Sequence, residues 1–84
     1  MKELPQYINC RTQEEQEIVL DIFEMLGYNW HAGQKPRGYL SRMPPMAYGI
    51  SRSSRSFGND HIHDYGTEAS DLRNMWISLK RRQG

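Results

Sequence analysis

The segment from Thr12 to Gly27 predicts one helix with a defined start, a buried face and a defined end. Thr12 and Glu15 have the spacing of a capping box, in which each side chain bonds to the backbone at the other position. Gly27 is the residue type that ends a helix in the left-handed conformation. Apolar residues between them recur every three or four positions, as on one face of a helix over residues 13–26: Ile18, Val19, Ile22, Phe23 and Leu26.

Strands are predicted on both sides of this helix, because apolar and polar residues alternate there. The first strand covers residues 7–11, the second covers 28–32 and the third covers 46–52. A further short strand is expected around Ile62. Gly and Pro residues predict that most of the stretch 33–45 is loop.

The C-terminal segment predicts a second helix, which begins at Thr67 or Ser70 and ends with the basic residues 80–82. The predicted fold class is α+β, with a small antiparallel sheet of three to four strands and two helices. The expected element order is β-α-β-β-(β)-α, in a single domain over residues 1–84.

Few aliphatic residues are available for the core of this domain. Leu, Ile, Val and Phe account for 15 of the 84 residues, so Tyr, Trp and Met must contribute to it. Trp30 and Trp76 are predicted as core anchors, with a role as ligand platforms as the alternative. The predicted core consists of Ile8, Ile18, Val19, Ile22, Phe23, Leu26, Trp30, Tyr48, Ile50, Leu72, Met75, Trp76 and Leu79.

Composition excludes several classes of protein. No apolar run approaches the roughly 20 residues of a membrane-spanning helix, and no secretory signal opens the sequence. The single cysteine, Cys10, excludes an internal disulfide framework and a zinc site made of cysteines alone. We therefore expect a cytoplasmic protein that does not bind membranes.

Charge is distributed unevenly, although the formal net charge is only +1. The helix over 13–26 carries five carboxylates and no basic residue, whereas residues 31–57 carry five basic residues and no acid. Either these are ordinary solvated surfaces, or one of them docks a partner of opposite charge. On the acidic helix the candidate contact residues are Glu14, Glu17, Asp21 and Glu24. In the basic and aromatic loops they are Lys35, Arg37, Tyr39, Arg42, Arg52 and Arg55.

Nucleic acid is an alternative partner for the basic loops. Arg residues placed among Tyr39, Tyr48 and Phe57 suit phosphate contact combined with base stacking. The sequence pI of 7.9 is nevertheless below the value of about 9 that is typical of nucleic-acid-binding domains. The acidic helix would repel nucleic acid. It would instead fit a basic protein surface that normally holds nucleic acid.

His61 and His63 are spaced like metal ligands on a strand, where alternate residues share a face. Zinc needs at least three protein ligands, and no third ligand stands at a suitable spacing. Next to Arg52 and Arg55, these histidines also suit a metal-free ribonuclease site, but nothing assigns the acid and the base. No phosphate-binding loop or CxxC motif is present. We expect no metal, no cofactor and no enzymatic activity.

The sequence Met43-Pro44-Pro45-Met46 has two interpretations. If it is exposed beside Tyr39 and Tyr48, it forms a soft and adaptable contact surface. If it folds over the sheet, it completes the core. Both interpretations are left open by the sequence.

Residues 12–33 resemble the opening of many small proteins encoded by bacteriophages. In those proteins a strand leads into a helix that ends in Gly-aromatic-x-Trp, as in Gly27-Tyr28-Asn29-Trp30 here, before a second strand and a Gly. The resemblance covers about a quarter of the chain and carries over no site residues, because its motif is structural. It implies a phage accessory protein, a class that includes anti-CRISPR proteins and sponges for signalling nucleotides.

We therefore expect a non-enzymatic viral protein that binds and inhibits a larger host protein or defence complex in the host cytoplasm. A CRISPR complex or another nucleic-acid-handling enzyme is the expected type of target. The alternative is a module that uses the Arg/Tyr loops to bind nucleic acid or to sequester a signalling nucleotide. Whether the chain also forms a homo-oligomer is left open.

Overall fold

Residues 4–83 are described by a computed structural model, which contains two helices and five strands. The strands are β1 (Tyr7–Cys10), β2 (Asn29–Trp30), β3 (Met46–Ser51), β4 (Ser56–Asp60) and β5 (Thr67–Glu68). The helices are α1 (Gln13–Leu26) and α2 (Arg73–Gln83), and short 3-10 turns cover Pro36–Gly38 and Ala69–Leu72. In this part of the chain, neither helix is long and apolar enough to cross a membrane.

The predicted ends of α1 are confirmed by its capping contacts. The backbone N–H of Glu15 donates to the Thr12 hydroxyl (3.2 Å), and the Glu15 carboxylate accepts from the backbone N–H of Arg11 (2.6 Å). Gly27 ends the helix with a φ of 79°, a conformation that glycine adopts without a steric penalty. The helix therefore begins and ends where the sequence predicts, although Glu15 bonds to the N–H of Arg11, one residue before its predicted partner Thr12.

The sheet differs from the antiparallel sheet of three to four strands that the sequence predicts. Its five strands are arranged in the order β2-β4-β3-β1-β5, and the β1–β5 and β2–β4 pairs are parallel. β3 and β4 form an antiparallel hairpin, in which Gly49 is paired with Gly58. β4 contains Gly, Asn and Asp, which are rare in strands. Its sequence alone therefore does not predict a strand, and β4 depends on its pairing with β3.

The short strand expected around Ile62 is absent from the described structure. The Asn9 side chain instead holds this segment as a loop, by donating to the backbone carbonyl of His63 (2.9 Å) and accepting from its N–H (3.0 Å). These contacts take up backbone groups that would otherwise pair with a neighbouring strand. The second helix also begins later than predicted, at Arg73, because Thr67–Glu68 pairs with β1 as β5.

The core lies between α1, α2 and one face of the sheet. Phe23 is fully buried at its centre and stacks on Phe57, with ring centroids 4.0 Å apart. Ten of the thirteen predicted core residues are buried, whereas Leu26, Met75 and Trp76 are only partly buried at its edge. Leu4, Leu20, Tyr28, Phe57 and Ala69 are buried as well.

Both tryptophans contact neighbouring elements of the fold. Trp30 is 4% exposed, and its indole N–H donates to the carbonyl of Pro36 (2.8 Å). The indole N–H of Trp76 donates to Asp21 on α1 (3.1 Å), and the Lys80 ammonium lies 4.9 Å from the Trp76 ring centroid. These contacts favour the interpretation of both residues as packing anchors.

Candidate protein-binding surface

Residues 39–45, which we call the display loop, connect the 3-10 turn Pro36–Gly38 to β3 and expose apolar side chains. Leu40 and Met43 are each 85% exposed, and Tyr39 is 55% exposed. Single apolar residues are common on protein surfaces, but three within five positions form a local apolar patch. Such a patch is typical of a surface that contacts another protein.

Two amide side chains hold the backbone of the display loop. Asn59 on β4 accepts a hydrogen bond from the N–H of Arg42 (3.0 Å) and donates to the carbonyl of Leu40 (3.3 Å). Gln16 on α1 is 6% exposed and donates to the carbonyl of Arg42 (2.6 Å). The loop is therefore tied to both the helix and the sheet at the positions beside its exposed side chains.

The hydroxyl of Ser41 forms the next contact, a hydrogen bond of 2.6 Å with the buried phenol of Tyr48 on β3. Burial raises the pKa of Tyr48, so this phenol stays protonated and keeps its ability to donate. The ring of Tyr39 packs against Trp30, with ring centroids 5.1 Å apart. One edge of the exposed patch is thus fixed on the core.

The two interpretations of Met43-Pro44-Pro45-Met46 each apply to one end of that sequence. Met43 is 85% exposed, whereas Met46 is fully buried as the first residue of β3. The Pro44–Pro45 peptide bond between them is cis. The segment contributes one methionine to the core and presents the other to solvent.

A groove of about 270 Å³ runs between the display loop and α1. Its lining combines apolar surface from Leu20, Leu40 and Met43 with polar groups from Gln13 and Glu17. Grooves with mixed linings of this kind suit a partner side chain that is apolar along its length and polar at its end.

Glu14, Glu17 and Glu24 are exposed on α1, whereas Asp21 is half-buried beside α2. Basic residues of the same chain pair with all four of these predicted contact residues. The Arg37 guanidinium contacts Glu17 and Asp21, both at 2.9 Å, and Glu24 at 3.5 Å. Arg73 on α2 pairs with Glu14 at 3.2 Å. Partial burial lowers the pKa of Arg37, but Asp21 and Glu17 outweigh this effect and leave the pKa above its ordinary value. The acidic face of α1 is therefore largely neutralised within the molecule.

The six predicted loop residues are not brought together in one patch. Arg37 belongs to the 3-10 turn Pro36–Gly38 and its side chain contacts α1, whereas Tyr39 and Arg42 belong to the display loop. Arg52 and Arg55 lie in the β3–β4 turn, at the other end of β3. Six residues of strand separate the two locations by roughly 17 Å. Lys35 precedes the 3-10 turn and is exposed.

The two histidines of the proposed metal motif have different surroundings. His61 is exposed, whereas the ring of His63 stacks on Tyr7, with centroids 3.9 Å apart and planes 4° apart. Within residues 4–83, no group of three or more His, Cys, Asp or Glu side chains is placed to hold a metal ion.

Sequence reasoning did not identify Asn59 and Gln16, which position the display loop. One signal for Gln16 is present in the sequence, because it is a polar residue one turn before Val19 and Leu20 on the buried face of α1. No comparable signal exists for Asn59, whose role depends on the pairing of β4 with β3. The chain matches no family model, and no curated protein or solved structure is significantly similar to it.

Proposed function

We propose that this protein is a non-enzymatic binding protein that docks a larger protein through the display loop. The observation that carries the proposal is the 85% exposure of Leu40 and Met43 on a loop whose backbone is fixed by Asn59 and Gln16. Exposed apolar side chains favour burial against a partner, because burial removes their surface from water.

The fixed backbone of the display loop also supports this function. A loop that is already ordered loses little conformational entropy when it binds, so more of the contact free energy contributes to affinity. Met43 adapts its shape to a partner surface, while Tyr39 provides a rigid ring at the edge of the patch. Residues of this kind commonly form the small set of anchors that dominates a protein interface.

The charge pairs on α1 favour the display loop over the acidic helix as the contact surface. Arg37 is held against Glu17, Asp21 and Glu24, and a basic partner would have to displace it or add to these pairs. Arg73 and Lys80 pair with Glu14 and Asp21 on the same face, so the helix offers little net charge to a partner.

The identity of the partner is proposed on the resemblance of residues 12–33 to small phage proteins. We assign the partner to host enzymes or defence complexes, and we propose that binding inhibits it. A partner of this kind binds nucleic acid. The assay must therefore distinguish direct contact between the two proteins from capture in which both proteins bind the same nucleic acid.

The test is quantitative affinity capture from nuclease-treated lysate, with mass spectrometry of the retained proteins. The double variant Leu40→Ser/Met43→Ser removes the apolar anchors, and Tyr65→Ser is the matched control because Tyr65 is 93% exposed elsewhere. Substitutions at such exposed positions change stability by about 0.5 kcal/mol or less, so both variants are expected to fold.

We expect the double variant to lose the captured protein and the Tyr65→Ser variant to retain it. A second arm uses Glu14→Lys/Glu24→Lys, which reverses charge on α1 and is expected to leave capture intact. The proposal is contradicted if the α1 variant loses the partner while the loop variant retains it. It is also contradicted if nuclease treatment abolishes capture and Arg52→Glu/Arg55→Glu does the same in untreated lysate.

A further inference from the structure

Arg42 stands between the two most exposed apolar residues of the display loop. Leu40 lies two positions before it and Met43 one position after it, and each of them is 85% exposed. Arg42 is itself exposed, and it lines the groove between the loop and α1. A partner that covers the two apolar side chains therefore also covers the Arg42 guanidinium.

The backbone of Arg42 is held on both sides of the residue. Its N–H donates to the side chain of Asn59 on β4 (3.0 Å), and its carbonyl accepts from the side chain of Gln16 on α1 (2.6 Å). Because the sheet holds one group and the helix the other, the side chain starts from a fixed point beside the groove. An arginine placed in this way loses less conformational freedom on binding than one on an unattached loop.

Arg42 differs from the other charged residues of the groove in having no carboxylate as a partner. Arg37 and Glu17 also line the groove, and their side chains pair with each other at 2.9 Å. Within residues 4–83, no carboxylate forms an ion pair with Arg42. An arginine that is covered at an interface without a counter-charge costs free energy, so the partner must supply an acceptor for this guanidinium.

The neighbours of Arg42 indicate what kind of acceptor this is. A guanidinium matches the two oxygens of a carboxylate, and its flanking residues require apolar surface from the same partner. A nucleic-acid backbone supplies oxygens as well, but it offers Leu40 and Met43 little apolar surface to cover, and its phosphates are repelled by Glu17. We propose that Arg42 binds a carboxylate of the partner, so that the display loop docks a protein segment in which Asp or Glu stands beside apolar residues. This inference rests on the proposed function, because it specifies the partner chemistry of the same surface.

The test is a selection from a library of random peptides on the immobilised full-length chain. We expect the selected peptides to be enriched in Asp or Glu beside apolar residues. The same selection on Arg42→Gln, which removes the charge, should lose the enrichment in acidic residues. Arg82→Gln is the matched control, because Arg82 is also exposed but lines a separate groove beside Leu4 and Leu79, and it should keep the enrichment.

A double-mutant cycle then tests whether Arg42 and the peptide carboxylate act on each other. The tightest selected peptide and a copy with its acidic residue changed to the amide are titrated against both proteins by fluorescence polarisation. We expect Arg42→Gln to weaken the acidic peptide by at least about tenfold and to leave the affinity of the amide peptide nearly unchanged. An equal loss of affinity for both peptides overturns the proposal, because the effect of Arg42 would then not depend on the carboxylate.

Failure of this inference is distinguishable from failure of the docking function. Apolar peptides without acidic residues, if they lose binding in Leu40→Ser/Met43→Ser, overturn the carboxylate and leave the docking function intact. Peptides that bind this double variant as tightly as the unmodified protein contradict the docking function itself. The inference is also overturned if no peptide is selected, or if a short single-stranded DNA binds with the same dependence on Arg42.

Discussion

Replacing Asn59 with Ala is expected to release the display loop without unfolding the domain. The change removes two hydrogen bonds, one with the N–H of Arg42 (3.0 Å) and one with the carbonyl of Leu40 (3.3 Å). A hydrogen bond contributes about 0.5–1.5 kcal/mol, and both bonds are exposed, so a loss of about 1 kcal/mol is expected. This loss raises the population of the open loop by about fivefold.

Hydrogen exchange measured by NMR tests this magnitude. We expect the Arg42 amide to exchange at least about fivefold faster in Asn59→Ala, whereas amides of the β1–β3 pairing, which open only with the whole domain, accelerate by no more than about fivefold. The melting midpoint should fall by about 4–8 °C. Asn74→Ala, the same change at an exposed position on α2, is the control and should not alter the exchange of Arg42. Unchanged Arg42 exchange in Asn59→Ala would refute the role of Asn59 in fixing the loop.

Three further predictions concern the stability of the domain. Phe23→Ala should lower the free energy of unfolding by about 3–5 kcal/mol in urea denaturation, whereas Tyr65→Ala should change it by about 0.5 kcal/mol or less. A melting shift of only a degree or two for Phe23→Ala would contradict the assigned core. Burial, followed by Glu15 and Glu68, raises the pKa of Cys10 to about 12, so a thiol reagent at neutral pH should label it only in the unfolded protein. Hydrogen bonds from Arg11 and Asn9 lower the pKa of Glu68 below its ordinary value of 4.5. A carboxylate whose pKa is lowered on folding stabilises the fold at pH values above its unfolded-state pKa. The contribution of Glu68 should therefore disappear as the pH falls below 4.5. In Glu68→Gln, the free energy of unfolding should depend less on pH in this acidic range.

The sequence predicted those elements whose signals are local. The cap at Thr12, the apolar repeat and Gly27 define α1 from neighbouring residues alone, and the structure begins and ends the helix where they indicate. The strand pairings depend on distant residues. β4 contains Gly58, Asn59 and Asp60, which disfavour strands, and forms because β3 pairs with it.

The candidate surface was predictable only in part for the same reason. The sequence left open whether residues 43–46 are exposed as a contact surface or fold over the sheet. The structure divides them, with Met43 exposed and Met46 buried. The pairing of Arg37 with α1 was not foreseen, because charges close in space are distant in sequence. The separation of Arg42 from Arg52 follows from the direction of β3, which only the structure defines.

The most direct test of the display loop as the contact surface is site-specific photo-crosslinking in cells that express the protein. A photoreactive aromatic amino acid replaces Leu40 in one variant and Tyr65 in another, since both positions are highly exposed. We predict a discrete adduct with one larger protein from position 40 and none from position 65. An adduct of the same size from position 65 but not from position 40 would contradict the account.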